Sequence, residues 1–97
     1  MKTLLCLLLL VPSVAFADAT IVQKGRRFNP AEITIRRGES LTFTNSDEFI
    51  HQIYVTGLFD SDERVPGQTL VENFPDAGTF EVHCHIHPKM MLVVHAN

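Results

Sequence analysis

Apolar and polar residues alternate in short runs along most of this chain. Glu32-Ile33-Thr34-Ile35-Arg36 and Leu41-Thr42-Phe43-Thr44 place an apolar side chain at every second position, the period of a strand with one buried face. Thr20–Lys24, Ile53-Tyr54-Val55, Thr69–Phe74, Phe80–Cys84 and Leu92-Val93-Val94 are further strand candidates. Turn-forming residues separate them: Gly25, Arg37-Gly38-Glu39-Ser40, Asn45-Ser46-Asp47, Pro66-Gly67 and Pro75-Asp76-Ala77-Gly78. Arg26-Arg27 reads as a solvated turn, and residues 57–67 as a loop carrying the acidic cluster Asp60-Ser61-Asp62-Glu63. Seven or so short strands with no long helical period predict an all-β fold, a small Greek-key β-sandwich.

The first seventeen residues break this pattern. Lys2 precedes the apolar run Leu4–Val11, and Ala15-Phe16-Ala17 is a small-x-small site. Together these predict a cleaved secretory signal peptide over residues 1–17, whose apolar run is too short to span a bilayer. The mature domain is then residues 18–97, a single domain of 80 residues in an exported, periplasmic setting. Of the two cysteines, Cys6 leaves with the signal and Cys84 remains alone. A lone thiol in an oxidising compartment is a liability unless it is buried or metal-bound. Cleavage also removes Lys2, leaving seven Lys and Arg against eleven Asp and Glu, a net charge of −4 with neutral histidines. Nothing here is basic enough for nucleic acid, and no amphipathic helical stretch suggests membrane docking or insertion.

The candidate chemistry lies in His83-Cys84-His85-Ile86-His87-Pro88-Lys89-Met90. Cys84, His87 at +3 and Met90 at +6 offer a thiolate, an imidazole and a thioether on one loop. Soft sulfur ligands with imidazole favour copper, and a His₂Cys group with a weak axial Met is the blue-copper arrangement. The motif lacks a second histidine, for which His51 in Ile50-His51-Gln52-Ile53 is the candidate. A plainer reading treats histidines 83, 85 and 87 as one face of an extended strand, a solvated edge or an adventitious zinc or nickel site. Pro88 opposes it, because proline has no N–H for a central ladder. His95 reads as a surface histidine. Met91, adjacent to Met90, should face the opposite way and serve as a core or rim hydrophobe. The acidic cluster is either a solvated connection or a docking patch for a basic partner.

These residues also resemble a known family. Phe28-x-Pro30-x-x-Ile33-x-Ile35-x-x-Gly38-x-x-Leu41-x-Phe43-x-Asn45 resembles the opening of cupredoxins. Ala77-Gly78-Thr79-Phe80-Glu81-Val82-His83-Cys84-x-x-His87-Pro88-x-Met90 is similar to the short ligand loop of the amicyanin group, which pseudoazurin- and plastocyanin-like proteins approach. The resemblance implies one type 1 copper held by His51, Cys84 and His87 with Met90 axial. It implies an electron carrier rather than an enzyme, monomeric, passing one electron between redox partner proteins. Small periplasmic copper-tolerance cupredoxins, which bind or oxidise Cu(I), share the compact pattern and supply the alternative role. Gln52 stands where the family carries an Asn that ties its two ligand loops together.

Overall fold

A computed structural model describes residues 19–97; the expected signal peptide lies outside them. Nine strands form: β1 (Ala19–Lys24), β2 (Arg27–Asn29), β3 (Glu32–Ile35), β4 (Ser40–Asn45), β5 (Ile53–Val55), β6 (Phe59–Asp60), β7 (Thr69–Asn73), β8 (Gly78–Cys84) and β9 (Met91–Ala96). They make a four-stranded sheet ordered β2-β1-β4-β7 and a five-stranded sheet ordered β3-β9-β8-β5-β6. No helix occurs among the described residues. The all-β sandwich read from the alternation is therefore the architecture.

The two strands beyond the expected seven are β2 and β6, of three and two residues. Each is an edge strand of its sheet. Each also lies in a segment whose local composition signals a turn or loop, and only its neighbour's ladder draws it into a sheet. β1 and β2 join through Gly25 and Arg26, both at positive φ (63° and 58°). Positive φ at both central residues is the hairpin turn that matches strand twist. Gly25 reaches it without a Cβ penalty, whereas Arg26 is held there by a bond described below.

Apolar side chains from both sheets meet in one core. Ile21, Leu41 and Phe43 come from the first sheet; Ile53, Val82, Leu92 and Val94 come from the second. Aromatic rings bridge the layers. Phe43 lies 6.4 Å from Phe59, which meets Phe74 at 6.1 Å edge to face, and Phe74 meets Phe80 at 5.6 Å. On β8 the alternation leaves Val82 and Cys84 buried, with Glu81 exposed and His83 half-buried. The register pairs Ile53 with Cys84 and Val82 with Leu92. Cys84 thus ends β8 in the middle of the second sheet and faces the core.

Candidate metal centre

Three loops and one hairpin tip converge at this end of the sandwich. β4 ends at Asn45, whose buried side chain organises the loop to β5. Its amide donates to the carbonyls of Phe49 (2.8 Å) and Arg64 (2.7 Å) and accepts from the Asp47 N–H (2.9 Å). The His51 N–H and carbonyl pair with Arg64 as an isolated bridge at 3.0 and 2.7 Å. The second loop, between β8 and β9, turns tightly: the Met90 N–H donates to the His87 carbonyl at 2.9 Å. The His85 N–H donates to the Gln52 carbonyl at 2.8 Å. A tie between the two loops therefore runs through the Gln52 backbone.

His51 is fully buried, Cys84 is buried and His87 is half-buried. Cys84 Sγ lies 3.5 Å from His51 Nδ1 and 3.9 Å from His87 Nδ1. All three ligand atoms fall within 4.8 Å of one another, so the group could hold a metal ion. Bonds of about 2.0 Å to nitrogen and 2.3 Å to sulfur separate the donors of a trigonal site by roughly 3.5–3.7 Å. One metal at the centre of this triangle would reach all three with little rearrangement. Met90 is buried and Met91 exposed, so the adjacent methionines face opposite ways as strand alternation requires.

Asp47 joins this group, although in the sequence it marks only the end of a strand. Its Oδ2 accepts from the Arg26 N–H at 2.8 Å and lies 3.1 Å from His51 Nε2. This pairing puts the His51 proton on Nε2 and leaves Nδ1 free to face Cys84, the carboxylate–histidine–metal pattern. Burial pushes the Asp47 carboxyl up, but the Arg26 N–H, the His51 ring and the Glu48 N–H outweigh it, and its pKa falls below the ordinary carboxylate value. The available signal was an acid four residues before a candidate ligand.

Histidines 83 and 85 stand apart from the group. His83 Nε2 lies 3.2 Å from Glu81, and His85 Nε2 lies 3.0 Å from Asp60 while its ring stacks on Tyr54 at 4.1 Å. His95 pairs with Glu32 at the far end of β9. The alternating trio therefore splits, because β8 ends at Cys84 and of the three only His87 turns toward its sulfur.

His87 has a lowered pKa, because burial and then the His51 and Arg26 charges oppose its protonation while Asp47 favours it. The metal-free fold should consequently weaken in mild acid. Below the ordinary value of 6.5 the unfolded chain takes a proton that folded His87 resists, so this contribution is present above that pH and lost as pH falls through the folded pKa. Denaturation midpoints of the metal-free protein should fall across this range. His87→Gln should flatten the slope, and an equal slope in the variant would contradict the assignment.

The comparisons agree with this architecture. The cupredoxin-like domain family matches residues 3–94. A plastocyanin of Scenedesmus fuscus is 30% identical over 76 residues, covering 62% of this chain and 74% of its own. A purple cupredoxin from Nitrosopumilus maritimus superposes with a TM-score of 0.77 at 23% identity, over 82% of this chain and all of that one. A reduced amicyanin variant superposes at 0.78 and 21% identity, over 88% and 87%. A copper-containing nitrite reductase of Thermus scotoductus superposes at 0.75 and 22% identity, but only 26% of its chain is covered. A match over nearly the whole sequence, with a Cys-His-His group at one end of a two-sheet sandwich, shows that the chain belongs to the cupredoxin-like domain family and has copper as its cofactor.

Proposed function

We propose that this protein is an exported type 1 copper protein that carries single electrons between periplasmic redox partners. His51, Cys84 and His87 would hold the copper, with buried Met90 as a weaker fourth donor. The observation that carries this reading is the convergence of Sγ and two Nδ1 atoms at 3.5 and 3.9 Å around a buried thiol. Copper supplies a centre that changes by one electron. The chain holds the geometry fixed through that change. Asp47 orients His51, Asn45 ties the His51 loop to Arg64, the Gln52 carbonyl ties it to the β8–β9 loop, and the core packed around Cys84 excludes water.

Half-buried His87 gives the electron its way out. Its ring lies 5.8 Å from that of exposed Phe49, and exposed Ile86 and Pro88 flank it in one shallow recess. Four protein donors leave no open position for a substrate, which favours a carrier over an enzyme. The nitrite reductase likeness covers one domain's worth of a much longer chain and does not alter this.

The methionines test the ligand set. Met90→Leu should raise the reduction potential and shift the visible spectrum, since it removes a weak donor while retaining volume. Met91→Leu should leave the spectrum unchanged and cost less than about 1.5 kcal/mol. The opposite result would give the axial role to Met91. Deleting the coding region tests the role itself. Loss of growth on one oxidisable substrate with normal copper resistance supports the carrier. Copper sensitivity with intact respiration would instead establish the copper-tolerance role.

A further inference from the structure

Exposed cations gather around the His87 face, where the nearby acids are Asp47, buried and bound to the Arg26 N–H and His51, and exposed Glu48 beside Phe49. Lys24, Arg26 and Arg27 cluster at the β1–β2 hairpin tip, and the register places Lys24 directly opposite Arg27. Lys89 approaches from the ligand loop, and Arg26 and Lys89 together line two adjoining recesses. One contains Ile86, His87 and Pro88; the other contains Arg27, Phe28 and Met91. All four cations are exposed. Among the described residues none of these four forms an ion pair with a carboxylate. The exposed acids Asp60, Asp62 and Glu63 lie at and beyond β6, the opposite edge of the second sheet from β3.

Four unpaired cations beside one another cost self-repulsion, and a chain with a net charge of −3 had carboxylates available to neutralise them. Arg26 is also fixed in place. Its N–H is bound by Asp47, and its guanidinium lies 4.6 Å above the Phe49 ring, which meets His87 edge to face. A cation on an aromatic face keeps its charge available to a partner. Here that charge stands next to the route from the copper site.

We propose that Lys24, Arg26, Arg27 and Lys89 form a basic collar that docks an acidic redox partner, a protein with clustered carboxylates beside an apolar contact for Phe49, Ile86 and Pro88. This rests on the carrier reading above. The collar orients the partner over His87 against the net repulsion of two acidic proteins. Electrostatic steering of this kind raises association rates by about 10–10³-fold and weakens with salt.

The test uses the copper-loaded protein with hexacyanoferrate(III) as an anionic oxidant and tris(phenanthroline)cobalt(III) as a cationic one. Oxidation by hexacyanoferrate should slow as salt rises, the sign of attraction despite the negative net charge. Poly-L-glutamate should compete with it and poly-L-lysine should not. In the triple variant Arg26→Asn, Arg27→Gln, Lys89→Gln the anionic reaction should slow roughly tenfold and lose its salt dependence. Asparagine tolerates the left-handed backbone at position 26, and an unchanged visible copper band certifies the fold. The cobalt reaction should not slow in that variant. A hexacyanoferrate rate that rises with salt, or a variant equal to the parent, would overturn the collar while leaving the carrier intact. Failure to exchange electrons with either oxidant would overturn the carrier reading and the collar with it.

Discussion

Cys84→Ser should abolish the intense visible absorption of the copper-loaded protein, leaving at most weak bands from the metal alone. Charge transfer from a thiolate to Cu(II) needs a thiolate, and Cys84 is the only cysteine among the described residues. Serine would keep the β8 backbone and its pairing with Ile53. Its hydroxyl is a far weaker and harder donor for copper than a thiolate. The loss should therefore be spectroscopic and thermodynamic rather than structural, with the fold retained by far-ultraviolet circular dichroism. A Cys84→Ser variant that kept the band would remove this position from the site.

Asp47→Ala should weaken copper binding by about 10–100-fold, the usual consequence of deleting a partner that orients a metal-ligating histidine. The side chain serves three donors at once, the Arg26 N–H at 2.8 Å, His51 Nε2 at 3.1 Å and the Glu48 N–H at 3.0 Å. Alanine would leave buried His51 without its acceptor, at a cost to stability of about 1–3 kcal/mol. It would also release the hairpin tip, where Arg26 holds a left-handed conformation. Asp47→Asn should recover part of both losses, since an amide oxygen can still accept from one of these donors. Competition against a Cu(I) chelator measures the affinity. An Asp47→Ala variant that bound copper as tightly as the parent would show that His51 needs no such support.

Strand alternation made the sandwich legible because each long strand has one wet face and one dry face. Leu41-Thr42-Phe43-Thr44 and Phe80–Cys84 announce their buried sides residue by residue. The candidate metal loop stood out for a different reason: Cys84, His87 and Met90 are chemically unusual and close in sequence. The short strands β2 and β6 were not, since three and two residues carry too little periodicity to outweigh neighbouring turn formers. Asp47 was hidden because its role depends on which way the β4–β5 loop folds, and Asn45 determines that through carbonyls four and nineteen positions away. The collar was hidden too. Arg26 and Lys89 are 63 positions apart and meet only after the sheets close.

One copper should sit among His51, Cys84 and His87 with the thiolate bound to it. Titrating the reduced, metal-free protein with Cu(II) under exclusion of oxygen, while recording the visible spectrum, tests this most directly. An intense thiolate-to-copper band should grow linearly and saturate at one copper per chain. Saturation at one copper with only weak visible absorption, or no saturation at all, would contradict it.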